Sequence, residues 1–158
     1  MPLFRPIVIA CAAAALLTGS VALANPDSDL LGAAKQGNVA AQIRLGTQYL
    51  QGKQRNQDFD EAALWFKKAA LTGNAEAQYQ YARLCLVGRG VSQSYYEAAA
   101  WFKKAAEQNH AKAQVNLAYL YESGHGIGKN LDSAQAWYAK ACENGNDLGC
   151  TKWRKHQR

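Results

Sequence analysis

Asp58-Phe59-Asp60-Glu61-Ala62-Ala63-Leu64-Trp65-Phe66-Lys67-Lys68-Ala69-Ala70-Leu71-Thr72-Gly73-Asn74 returns 36 residues later as Ser94-Tyr95-Tyr96-Glu97-Ala98-Ala99-Ala100-Trp101-Phe102-Lys103-Lys104-Ala105-Ala106-Glu107-Gln108-Asn109-His110. It returns once more, looser, from Asn130 to Asn146. Extending outward gives three gapless units: Val39 to Asn74, Ala75 to His110 and Ala111 to Asn146. The same residue stands in all three at Ala41/Ala77/Ala113, Gln42/Gln78/Gln114, Gly52/Gly88/Gly124, Ala62/Ala98/Ala134, Trp65/Trp101/Trp137, Lys68/Lys104/Lys140 and Ala69/Ala105/Ala141. A fixed period of this length marks a repeat architecture.

Each unit reads as two helices. Ala41, Leu45 and Tyr49 recur at i, i+4 and i+8, one helical face. Gly52 follows where a left-handed C-cap belongs. Asp58 to Glu61 has capping-box form and opens a second helix, as Ser94 to Glu97 does; the third unit keeps the cap, Asn130, but loses the glutamate. The second helix carries Ala62, Trp65, Phe66, Ala69 and Ala70 on one face. Gly73 and Gly145 stop it, with Asn109 in that place in the middle unit, and Asn38, Asn74 and Asn146 cap the first helix that follows. Alanines at contact positions let helix axes approach, and the large aromatics fill what remains. One helix pair cannot bury both faces, so the pairs must stack. The expected fold is all-α, a right-handed superhelical α-solenoid. Residues 25–38 are expected as an N-terminal capping helix and 147–158 as a C-terminal one, matching half-units through Ala33, Ala34 and Gly37 and through Gly149, Cys150 and Trp153.

The words Ala75-Glu76-Ala77-Gln78, Gly88-Arg89-Gly90-Val91 and Lys104-Ala105-Ala106, at this period and with this tryptophan, resemble the Sel1-like repeat, a relative of the tetratricopeptide repeat, from about residue 27 to 158. The resemblance implies an adaptor, of a kind mostly exported by bacteria, that holds proteins or peptides. The first unit departs from the pattern: Gly52-Lys53-Gln54-Arg55 lacks the second glycine and the buried aliphatic of Gly90-Val91 and Gly126-Ile127. The middle unit has Cys85 where Tyr49 and Tyr121 stand.

Cys142 and Cys150 fall near the end of one helix and the start of the next, with Gly145-Asn146 reversing the chain between them. Their spacing is similar to the C-x7-C pairs of cysteine-rich Sel1-like proteins, and a Cys142–Cys150 disulfide is expected; two reduced thiols or a metal pair are the alternatives. No metal site is expected, because no other His or Cys lies near enough in sequence to complete one. Cys85 is expected as a buried thiol, with an intermolecular partner as the alternative.

Nothing in the sequence assembles a nucleophile. No serine begins S-x-x-K, and there is no H-E-x-x-H, G-x-S-x-G or phosphate-binding glycine loop. The glycines of Gly124-His125-Gly126 are turn glycines, and His110 replaces an N-cap asparagine. No turnover and no cofactor are expected. A β-lactamase-like or cell-wall-peptide-acting enzyme is the rival class, since some cysteine-rich relatives are so described. A secreted effector or immunity-type factor is a third.

In helical solenoids the first helices line the concave face. Positions there not spent on packing are Arg44, Thr47, Gln48 and Gln51; Gln80, Arg83 and Val87; and Asn116, Tyr119 and Ser123. Stacking aligns Arg44, Gln80 and Asn116 in one row and Thr47, Arg83 and Tyr119 in another. Amide and guanidinium donors with one amphipathic aromatic suit an extended peptide or an acidic chain end. A plain solvated face is the alternative. Tyr49, Trp65, Trp101, Tyr121 and Trp137 read as core rather than ligand contacts.

Residues 1–24 read as an export signal: Arg5, an apolar run from Ile7 to Leu17, then Ala22-Leu23-Ala24 before the cleavage point. That run is too short to span a bilayer, which takes about 20 residues. The order of the segment favours soluble export to the periplasm or medium over a lipoprotein anchored through Cys11. The whole chain has 158 residues and a net charge of +6. Without Arg5 and the tail Lys152 to Arg158, thirteen basic residues face twelve acidic ones. The basicity is a tail effect, so no nucleic-acid partner is expected; weak contact of the tail with acidic surfaces is the alternative to its capping a helix dipole. The apolar fraction of 49% is ample for a core.

Overall fold

A computed structural model describes residues 26–155. The expected export segment, with Cys11, and the last three residues of the basic tail lie outside the described residues. The described chain folds into helices α1 (Pro26–Lys35), α2 (Val39–Gln51), α3 (Phe59–Leu71), α4 (Ala75–Val87), α5 (Tyr95–Glu107), α6 (Ala111–Ser123), α7 (Leu131–Glu143) and α8 (Asp147–Lys155). Each helix packs chiefly on its neighbours in sequence, as stacked hairpins do. The fold is an α-solenoid of three 36-residue helix pairs, with α1 and α8 at its ends.

The local signals explain the boundaries. Asn38 and Asn74 each accept a hydrogen bond from the N–H three residues on, at 3.0 Å, and His110 does so through Nδ1 at 3.2 Å. Gly52, Gly88 and Gly124 all take the left-handed conformation that ends the first helices. Asn109, which holds the place of Gly73 and Gly145, is the non-glycine with positive φ among the described residues, a conformation asparagine tolerates.

The capping box is only half made. Asp58 Oδ1 accepts from Glu61 N–H and Ser94 Oγ from Glu97 N–H. The reciprocal bond is missing because each cap's own N–H closes the preceding loop instead. Asp58 donates to the Tyr49 carbonyl, Ser94 to that of Cys85 and Asn130 to that of Tyr121. Glu61 is thereby released to accept from Trp65 Nε1 at 2.9 Å.

One position shared by all units ties each to the helix before it, and another braces the second helix of each unit. The side chains of Gln42, Gln78 and Gln114 are buried, and each Nε2 donates to the carbonyl of Ala34, Ala70 or Ala106, near the end of the preceding helix. The Gln78 Oε1 accepts from Gln108 Nε2, and the Gln114 Oε1 from Asn144 Nδ2. In the first unit the matching residue is Thr72, whose hydroxyl turns back to the Ala69 carbonyl at 2.7 Å. The Gln42 Oε1 is left buried without a partner among the described residues. The lysines sit over the tryptophans three residues earlier: Lys68 on Trp65, Lys104 on Trp101 and Lys140 on Trp137, at 4.0–4.4 Å from the ring centroids.

The second glycine of each loop is a contact. A Cβ on Gly90 would stand 1.8 Å from the Phe59 carbonyl oxygen, and one on Gly126 2.3 Å from the Tyr95 carbonyl carbon. Each loop therefore rests on the first turn of the second helix in the preceding unit. Gln54 replaces this glycine in the first unit, where the matching contact position, 23, lies outside the described residues.

The third unit makes a paired change. Tyr138 occupies the place of Phe66 and Phe102, fully buried. Its hydroxyl donates to Glu122 Oε2 at 2.7 Å, and Glu122 replaces the leucine of Leu50 and Leu86. Lys152 reaches the same oxygen from α8 at 3.3 Å. This part of the basic tail is engaged with the body of the repeat.

Cys142 and Cys150 form a disulfide between α7 and α8. They hold the positions of Ala106 and Gln114 one unit earlier, so the covalent bridge stands where the glutamine-to-carbonyl bond stands elsewhere. Gly149 lets the helices close: a Cβ there would lie 2.7 Å from that of Ala141.

Candidate binding face

Hollows lined by the first helices α2, α4 and α6 and the loops that follow them hold most of the residues expected on the inner face. Gln80, Arg83 and Asn116 line one hollow of about 230 Å³ together with Leu50, Tyr79, Leu86, Val87 and Arg89. Arg44, Thr47, Gln48 and Gln51 line a second of about 330 Å³, next to Lys53 and Gln54. Tyr119 lies in a third of about 420 Å³, with Leu86, Val87, Gln93, Tyr95 and His125. The first and third share Leu86 and Val87 as lining residues. Leu50 of α2, the α4 residues and Asn116 of α6 meet at the first hollow, while Arg44 and Thr47 border the second.

Not every expected donor is open. Gln48 is only 6% exposed, and both ends of its amide are used: Nε2 donates to Gln54 Oε1, and Arg55 Nε donates to its Oε1. The loop of the first unit folds over it, and helix periodicity carries no trace of that contact. Gln48 is thus packing, not an unspent position. Thr47 and Asn116 donate back to their own helix, to the carbonyls of Ile43 and Lys112. Arg44, Arg83 and Tyr119 are exposed. Arg83 spends one N–H on Gln80 and lies over the Tyr79 ring. Tyr119 is half exposed, at 49%, and Val87 at 55%.

Sequence reasoning missed several contributors, Arg89, Tyr95 and His125 among them. Arg89, which lies over the Phe59 ring, enters the first hollow from the loop after α4. Tyr95 and His125 stack at 5.0 Å and line the same hollow as Tyr119. They come from different units, so only the stacking of α5 against the next loop brings them together. The recurring second loop glycine, Gly90 and Gly126, is the sequence signal that marks this close approach between units.

The charge around the face has identifiable causes. His110 Nε2 lies 3.0 Å from Glu76 Oε2, and this hydrogen bond holds the Glu76 carboxyl below its ordinary range against the opposing effect of burial. The His110 Nδ1 accepts from the Ala113 N–H on the other side of the ring. The imidazole also stacks on Tyr79 at 4.7 Å, so His110 is a cross-unit brace as well as a cap. Burial raises the Tyr79 phenol and the Cys85 thiol. Cys85 is fully buried and unpaired, which suits an inert thiol. Among the described residues no cluster of His, Cys, Asp and Glu could hold a metal ion, and no helix is long and apolar enough to cross a membrane.

The Sel1 repeat model matches residues 39–74, 75–110 and 111–146, one match to each helix pair. The chain belongs to the Sel1 repeat family. Members of the Sel1 repeat family mainly serve as protein-interaction scaffolds. Solved structures agree on the Sel1 fold. A protective antigen of uropathogenic Escherichia coli displaying an SLR fold is 35% identical with a TM-score of 0.78, over 80% of this chain and 27% of that one. A Sel1 repeat protein from Oxalobacter formigenes is 36% identical with a TM-score of 0.76, over 80% and 52%. The Helicobacter pylori cysteine rich protein B shares the fold at 22% identity and a TM-score of 0.63, over 81% and 97%. The chain thus spans about a quarter of the first relative and about half of the second. Among curated proteins no sequence matches it.

Proposed function

We propose that this protein is an exported adaptor that binds a protein or peptide through the face formed by α2, α4 and α6, without turnover. The supporting observation is that this face keeps polar and aromatic side chains unburied, Arg44, Gln80, Arg83 and Tyr119, beside a hollow that the three helices line together. Thr47 and Asn116 contribute at the rim, and Gln48 supports the loop beside them. Solenoid scaffolds present ligands with such extended surfaces.

Export to the periplasm or the medium accords with the Cys142–Cys150 disulfide, since disulfides persist in oxidising compartments. The test is a crosslinked pull-down from the native envelope with the full chain as bait, repeated with Arg83→Glu. The wild-type bait captures a protein partner, and the variant loses it while its helical spectrum is unchanged. A partner bound equally by both proteins assigns binding to another face and refutes the reading.

A further inference from the structure

Inside that binding face, the α4–α6 groove is chemically lopsided. At one end two guanidinium groups, Arg83 and Arg89, border the same hollow, and no carboxylate lines it. Among the described residues neither arginine has an ion-pair partner. Each guanidinium lies over an aromatic ring, Arg83 at 5.7 Å from the Tyr79 centroid and Arg89 at 5.1 Å from that of Phe59. Glu76, one turn before Gln80, is turned to His110 and Gln80. A guanidinium carries five N–H donors, and Arg83 gives one of them to Gln80.

The other end is apolar and aromatic. Leu86, Val87, Tyr119 and the stacked pair Tyr95–His125 line it, with Gln93 as its one amide. Val87, Tyr119 and Tyr95 are all exposed. Arginines without counter-ions beside an uncovered apolar slot ask for one ligand that supplies both an anion and a hydrophobic anchor.

We propose that the groove recognises an acidic peptide segment with a carboxylate side chain two residues from a large apolar or aromatic side chain. The carboxylate takes the donors of Arg83 and Arg89, and the anchor enters the slot between Val87, Tyr119 and Tyr95. The spacing follows from the helix. Arg83 and Val87 are four residues apart on α4, about 6 Å along its axis. An extended ligand covers that distance in about two residues, at about 3.3 Å each. Side chains two apart in an extended chain also point the same way, so both face the groove. Gln80 and Asn116 border the arginine end, where amides can reach the ligand backbone.

This inference rests on the proposed binding face, and its test separates the two. The full exported chain, isotope-labelled, is titrated by NMR with three seven-residue peptides in a Gly/Ser background. One has glutamate two residues ahead of phenylalanine; the others carry glutamine for the glutamate, or alanine for the phenylalanine. The parent peptide should shift the amides of Val87, Arg89 and Tyr119, and each replacement should weaken binding about tenfold, the size of a lost charge-assisted bond or buried ring. Arg83→Gln with Arg89→Gln should abolish the preference for glutamate over glutamine and leave that for phenylalanine over alanine. Equal binding of the glutamate and glutamine peptides overturns the inference but leaves the binding face standing. Shifts confined to α3, α5 and α7 overturn both. Absence of shifts with every peptide overturns the inference alone, provided the envelope partner is still lost on Arg83→Glu.

Discussion

Replacing Thr72 with glutamine should stabilise the fold. In the second and third units the buried glutamine carbonyl is met by an amide from the end of the next helix, Gln108 at 2.9 Å and Asn144 at 3.0 Å. Thr72 cannot reach, and the Gln42 Oε1 is buried without a partner. A buried acceptor left unpaired costs about 1–3 kcal/mol. Ordering a glutamine side chain takes back part of this, up to about 2 kcal/mol if it were fully buried. Gln108 is exposed in the same role, so the entropy cost sits well below that bound. The backbone needs no change, since Thr72 has φ −77° and ψ −5° where Gln108 has −90° and 18°. The net gain should be about 1 kcal/mol, or an upward shift of roughly 3–4 °C in Tm for a chain of this size. Urea denaturation followed by far-ultraviolet circular dichroism measures it. The mirror change, Gln108→Thr, should lose a similar amount. In a Gln42→Met background Thr72→Gln should gain nothing. A Thr72→Gln gain that persists there, or no gain at all, refutes the pairing logic.

The remaining expectations come from other contacts. Gly90→Ala would drive a Cβ into the Phe59 carbonyl at a φ of +69°, and should cost about 3 kcal/mol or more in the same assay; a loss below about 1 kcal/mol would mean the loop does not rest on α3. Breaking the disulfide with Cys142→Ala and Cys150→Ala should cost roughly 2.5 kcal/mol for a closed loop of nine residues. Hydrogen exchange should then rise in α8 first, and a uniform rise would contradict a role local to that cap. Glu76→Gln should destabilise near neutral pH. Because the folded pKa of Glu76 is depressed, its contribution is complete above the ordinary value of 4.5 and fades as pH falls through the folded value. The stability gap between variant and wild type should therefore close in acid; a constant gap would place the effect elsewhere.

The repeat, its helix pairs and its capping residues were legible in the sequence because each depends on neighbours within a few residues. Gly52, Gly88, Gly124 and the asparagine caps act locally, and they stand where the period puts them. The Cys142–Cys150 bridge joins positions across a single tight turn, which is nearly as local. Contacts between units were not legible. Gln48 looks like an open position on a helical wheel, but the loop through Gln54 and Arg55 covers it. The half-made capping box reflects competition from the carbonyls of Tyr49 and Cys85, nine residues back. His110 reads as a cap substitute, and its bond to Glu76 spans 34 residues. Two signals were present and unused. Gln42, Gln78 and Gln114 recur in every unit, which an exposed polar residue has little reason to do. Tyr138 and Glu122 depart together from phenylalanine and leucine in the third unit, which marks a compensating pair.

The most direct test of the central claim, that the first helices carry the binding face, is site-specific photocrosslinking in living cells. A photoreactive amino acid is placed in turn at Thr47, Val87 and Tyr119, and at Ala100, Lys103 and Ala136 on the second helices. The first set should yield a discrete covalent adduct with a protein partner on irradiation, and the second set should not. Adducts from Ala100, Lys103 and Ala136 with none from Val87 and Tyr119 would contradict the account.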